Sequence, residues 1–146
     1  MQYGHELFNE SLKTVGAVPG LAWNLVYQPL PPSTTAHSHS NNAMGIRTNK
    51  TLIIALVTAS WKYAKDDATI HGASAEVISK MEQRAKEMGV FHRYKYLNYS
   101  NSTQDPIAGY GEENRRMLQQ VSRKYDPDGL FQRGFVGGFK VFRPQA

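Results

Sequence analysis

No cysteine occurs in the 146 residues, so disulfides, thiolate nucleophiles and zinc-thiolate centres are excluded, and stability has to come from packing. Long apolar runs are missing too. No stretch approaches the roughly 18 residues that cross a bilayer, and a membrane is not expected as a partner. The opening segment MQYGHELFNESLKTVGAVPG carries Glu6 and Glu10 and no basic stretch ahead of an apolar core. It does not read as a secretory signal, and a cytoplasmic location is expected. Acidic residues are the scarcer sign, 12 against 17 Lys and Arg, giving a net charge of +5 and a pI near 9.5. The bases are dispersed and mostly sit beside Asp or Glu, as on a solvated helix face, so nucleic acid is not expected as a partner. A glycine-rich phosphate loop is also lacking. The one paired glycine, Gly137 with Gly138, follows the last helical pattern, where no helix N-terminus remains to receive a phosphate.

What is present suits a single domain over residues 1–146, since 40% of the chain is hydrophobic. Tyr3, Leu7, Phe8, Leu12 and Val15 recur at helical spacing, and VPG ends that helix. In LAWNLVYQ, Leu21, Trp23, Leu25 and Tyr27 alternate with Ala22, Asn24, Val26 and Gln28, a strand pattern that PLPP stops. Residues 33–49 are rich in Ser, Thr and Asn and are expected to form a long loop. TLIIALVTASW is almost continuously apolar and β-branched, which predicts a central strand covered on both faces. Asp66 and Asp67 offer a cap to a helix whose buried stripe is Ile70, Val77, Ile78, Met81, Ala85 and Met88, and Gly89 stops it. VFHRYKYLNY predicts an aromatic strand, and Met117, Leu118, Val121 and Tyr125 a final helix that DPDG terminates. The fold class is α+β, an antiparallel or mixed sheet with helices packed mainly on one face. The other face then needs a partner domain, a second copy or a ligand.

Taken by themselves, Trp23 and Trp61 suit a core more than a ligand pocket. Asn24 and Gln28 suit a ligand or solvent equally well. His37 and His39 form a pair with no third ligand near, so no metal is expected. Tyr96 and Tyr99 suit packing more than acid–base work.

YLNY at 96–99, YGEEN at 110–114, RKYDPDGLF at 123–131 and GGFK at 137–140 carry a specific pattern. In order and spacing they resemble the C-terminal signature of berberine-bridge-enzyme-like FAD-linked oxidases of the fungal type. The likeness is strongest over about residues 90–143. It implies a substrate domain like that of the vanillyl-alcohol-oxidase and berberine-bridge superfamily, with the YLNY strand beside a flavin. Tyr96 and Asn98 then match positions near the cofactor, and Tyr99 a tyrosine that serves as a base in several members. Strand alternation would set Tyr99 on the opposite face from Tyr96 and Asn98, and which tyrosine faces the pocket stays open. FAD is the family cofactor, yet its binding loop is absent, so no cofactor is expected.

The reading that follows is a flavin-free substrate domain, a homodimer, acting on a small organic molecule. Its expected activity is that of a cofactor-independent cyclase, isomerase or lyase in fungal secondary metabolism. The alternative is a fragment of an FAD-linked oxidoreductase, or an accessory module pairing with a full-length oxidase. The expected pocket lies between the sheet and the 33–49 loop. Its lining would be Trp23 or Trp61 and a YLNY tyrosine, with Asn24, Asn98 and His37 or His39 as polar contacts.

Overall fold

A computed structural model describes residues 1–34, 42–134 and 137–142. The fold is α+β, as the alternation of patterns predicts. Its elements are α1 (Gln2–Val15), β1 (Ala22–Leu30), β2 (Leu52–Ser60), α2 (Asp67–Glu87), α3 (Pro106–Gly109), α4 (Glu112–Tyr125) and α5 (Leu130–Arg133). Two compact units emerge. One comprises Met1–Pro29 and Ile53–Phe91, the other Leu30–Leu52 and His92–Ala146.

In the first unit β1 and β2 pair as a two-stranded antiparallel sheet, and the amide of Asn24 reaches the hydroxyl of Thr58 at 3.4 Å across it. Alternation turns Trp23 on β1 and Val57 and Ala59 on β2 toward a core completed by Val15, Ile70 and Ala73, with Phe8 and Trp61 packed against it. Both long helices therefore cover the same sheet face. The expectation of a central strand buried on both faces does not hold for residues 51–61. Among the described residues β2 has one neighbour, and its side chains are half-buried or exposed. A continuous apolar run signals a strand but does not count its partners.

Helix α2 stops as predicted. Gly89 adopts φ +66, its N–H bonds Lys86 O at 3.0 Å, and the N–H of Val90 bonds Ala85 O at 2.9 Å, which is the Schellman arrangement. Its start differs. Asp66 makes no side-chain cap, and Asp67 instead accepts a hydrogen bond from the Trp61 indole at 2.7 Å. The buried stripe is Ile70, Ala73 and Val77, while Met88, expected to be buried, is 60% exposed because it lies past the helix end.

In the second unit residues 92–96 belong to no helix or strand, and Leu97–Tyr99 forms a 3₁₀ turn, so the predicted third strand is absent. The backbone of Arg93 and Lys95 runs close against Gly109 of α3 instead. That short helix carries a signal the periodicity overlooked, Asp105 accepting from Ala108 N at 2.9 Å with Pro106 opening the first turn. DPDG behaves as a turn, and the Asp126 carboxylate also caps α5 through Leu130 N at 2.7 Å and Phe131 N at 3.0 Å.

The described later half of the expected 33–49 loop, residues 42–49, is irregular and tied by its own side chains. Asn42 is buried and clamps Ile46 twice, its amide donating to Ile46 O at 2.9 Å and its carbonyl accepting from Ile46 N at 3.0 Å. Gly45 (φ +67) lies so close to Tyr110 O and Asn114 that no side chain would fit there.

Candidate functional site

The expected site residues divide between the two units. Trp23 and Trp61 both belong to the first unit's packing. The Trp23 indole donates to Ser11 Oγ at 3.0 Å while its ring stacks on Phe8, and Trp61 meets the His71 ring edge-on at 5.4 Å. Each indole N–H thus has an internal partner. Asn24 is exposed on the sheet face away from the helices. His37 and His39 lie outside the described residues.

The second unit brings three of the expected residues together, by a route that alternation does not allow. Because Leu97–Tyr99 is a 3₁₀ turn, Tyr96 and Tyr99 fold onto one another with ring centroids 4.6 Å apart at 78°, an edge-to-face pair. The Asn98 amide donates to the Tyr96 hydroxyl oxygen at 2.9 Å, and Ser100 Oγ donates to Tyr96 O at 3.0 Å. Tyr96 is half-buried and Tyr99 is 42% exposed. The hydroxyl of Tyr99 has no hydrogen-bond partner among the described residues. A fixed phenol that accepts from an amide keeps its own proton available for a ligand, and an unpartnered phenol beside it can donate or accept. That arrangement suits orienting or proton-transferring chemistry on a small molecule.

Behind the turn lies a wall of aromatic and polar residues. Tyr94 stacks on Tyr110 with centroids 6.2 Å apart, and its hydroxyl donates to Met44 Sδ at 3.6 Å. Burial, with smaller contributions from Tyr110 and Tyr96, pushes the Tyr94 phenol up to about 12. Burial also raises Tyr110. Asn114, buried on α4, donates to Tyr110 O at 2.9 Å. His92 accepts from Tyr94 N at 3.2 Å through Nδ1, and desolvation followed by the Arg93 charge lowers its pKa. Sequence reasoning missed Asn42, Tyr94, Tyr110 and Asn114 as site-building residues. A buried asparagine such as Asn42 or Asn114 is polar and so adds nothing to an apolar period.

Compared with known proteins, the chain is similar over almost its whole length to fungal FAD-linked enzymes. It is 34% identical over 146 residues, 97% of this chain, to the FAD-dependent monooxygenase drtC of Aspergillus calidoustus. It is 36% identical over 121 residues to the FAD-dependent monooxygenase sdcF of Emericella nidulans, and 32% identical over 119 residues to the bifunctional solanapyrone synthase of Alternaria solani. The chain spans about a quarter of the length of these relatives, 28%, 25% and 23% respectively. No family profile matches, and no solved structure matches.

The relatives' names imply FAD, whose diphosphate suits a helix N-terminus reached through a glycine turn. The N-termini of α2, α4 and α5 do not fit that part of the cofactor. Helix α4 follows Gly111 (φ 89) but opens on Glu112 and Glu113, and the Arg93 guanidinium already lies against the glycine. Helix α5 follows Gly129, yet the Asp126 carboxylate occupies its first N–H groups. Helix α2 opens on Asp66 and Asp67. Each of these N-termini already carries negative charge where a diphosphate would sit.

Proposed function

We propose that this chain forms the substrate-facing part of a fungal FAD-linked enzyme of the berberine-bridge type, acting on a small organic molecule in secondary metabolism. The turn at 96–99 would be its working surface. The observation that carries the reading is the Tyr96–Asn98–Tyr99 cluster, held by internal hydrogen bonds with one phenol left unpartnered, in a chain similar to FAD-dependent monooxygenases along 97% of its length. In this reading Asn98 fixes Tyr96 as a hydrogen-bond donor toward the substrate, and Tyr99 moves or holds a proton at its reacting atom. The stacked Tyr94 and Tyr110 rings keep the turn in place. FAD, where the reaction uses it, supplies the oxidation and is held by residues other than the helix N-termini described above.

The poor fit of those N-termini to a diphosphate favours a second reading, a cofactor-independent cyclase, isomerase or lyase that uses the same turn. Holding a reactive substrate in a near-attack conformation contributes up to about 7–11 kcal/mol to such steps without any redox partner.

The test is a titration of the purified chain with a panel of fungal aromatic metabolites, following the NMR resonances of Tyr96, Asn98 and Tyr99 and analysing products by mass. Compound-dependent shifts at these three residues support the site, and shifts confined elsewhere overturn it. A product isomeric with its substrate, formed without added flavin, selects the cyclase or isomerase reading. An oxidised product that requires FAD selects the first.

A further inference from the structure

The cleft between α5 and the segment 137–142 is a second candidate site, separate in chemistry from the tyrosine turn. Its volume is about 420 Å³, lined by Gln132, Arg133, Gly137, Gly138, Lys140 and Phe142. That size is within the usual range of small-ligand pockets. Two cations face it, and no carboxylate lines it among the described residues. Lys140 Nζ donates to Phe131 O at 3.0 Å and the Arg133 guanidinium to Asp128 O, so both charges rest on neutral carbonyls. The Asp126 carboxylate is engaged by the backbone N–H groups of Leu130 and Phe131 rather than by either cation. A Cβ placed on Gly137 or Gly138 would meet nothing within 4 Å, so this side of the cleft is open space. Phe142 supplies an aromatic surface, with the Arg123 guanidinium 5.1 Å from its ring centroid. Gln132 accepts from Val141 N at 3.2 Å through Oε1, which leaves its amide donors for a ligand.

We propose that this cleft binds the oxyanion of a small aromatic molecule, a carboxylate or a phosphate monoester. Arg133 and Lys140 hold the anion by charge-assisted hydrogen bonds, and the ligand's ring lies on Phe142. This assignment does not depend on the tyrosine turn or on flavin.

The full chain is titrated with benzoate, phenyl phosphate, inorganic phosphate and neutral benzamide, following amide resonances. Benzoate or phenyl phosphate should shift residues lining the cleft, and benzamide should not. Of the two, the tighter binder identifies the oxyanion. Arg133→Gln and Lys140→Gln should each weaken binding about tenfold, while Lys140→Arg retains it. Phe142→Leu should weaken the aryl anions and leave inorganic phosphate unchanged. The proposal is overturned if benzamide binds as tightly as benzoate, if inorganic phosphate matches phenyl phosphate, or if aryl-anion affinity survives in a folded Arg133→Gln, Lys140→Gln double variant.

Discussion

Tyr94 and Tyr99 show how two residues of one type, five positions apart, acquire different chemistry. Tyr94 is half-buried, stacked on Tyr110 and bonded to Met44, and its pKa stands at about 12. A phenol whose folded pKa exceeds the unfolded value near 10 contributes stability that is whole below about pH 10 and lost as pH rises toward 12. The urea midpoint should therefore fall through that window, and Tyr94→Phe should remove part of the slope. An unchanged slope in a folded variant would assign the alkaline loss elsewhere. Tyr99 instead presents an unpartnered hydroxyl. On any substrate that shifts the turn's resonances, Tyr99→Phe should lower turnover by roughly tenfold to ten-thousandfold while the circular dichroism spectrum stays the same. Full activity there would mean that Tyr99 only packs against Tyr96. His92 has the opposite pH sense. Its lowered pKa makes its contribution whole above the unfolded value and lost as pH falls, since protonated Nδ1 can no longer accept from Tyr94 N.

Among the elements, α2 separates what local sequence decides from what it does not. Gly72 lies inside the helix with nothing within 4 Å of where a Cβ would be, so it adds chain entropy and no packing. Gly72→Ala should raise stability by about 0.5–1 kcal/mol in urea unfolding. Gly89, at φ +66, is the contrary case, and Gly89→Ala should lower stability by about 1 kcal/mol. If both changes had the same sign, the boundary drawn at Glu87 would be wrong. Such boundaries were readable because caps and stops are local chemistry. The segment 91–99 was not readable in this way. Its aromatic composition fits a strand, but no partner strand lies beside it among the described residues, and Leu97–Tyr99 closes into a 3₁₀ turn. Strand propensity without a neighbour leaves backbone groups unpaired, and a turn satisfies some of them locally.

For the whole molecule, two outcomes are expected. The purified chain should be free of flavin, because the helix N-termini of α2, α4 and α5 already face acidic side chains. Stoichiometric flavin absorbance after gel filtration would overturn this and place FAD in a manner that the helix ends do not suggest. The chain should also self-associate as a dimer. Val26 and Ile53 in the first unit and Tyr125, Leu130 and Phe131 in the second are exposed, and a second copy is the simplest cover for such side chains. Light scattering that gave the 16.4 kDa mass of one chain at micromolar concentration would count against it.

By itself the sequence determined the α+β class, the courses of α1, β2 and α2, most of β1, which runs on through Pro29 to Leu30 where PLPP was expected to stop it, the stop at Gly89 and the turn at DPDG. Each follows from side-chain period or from a residue whose backbone preference acts within a few positions. It also contained Tyr96, Asn98 and Tyr99 as candidates, through the motif that holds them. Tertiary structure decided how they are used. It turned an expected strand into a 3₁₀ turn, and so set the two rings 4.6 Å apart where alternation would have separated them. It buried Asn42 and Gly45 in a segment whose composition reads as loop. It also took both tryptophans into the first unit's packing by giving each indole an internal acceptor. These outcomes depend on which distant groups meet, and pairing across the fold leaves no period in the sequence.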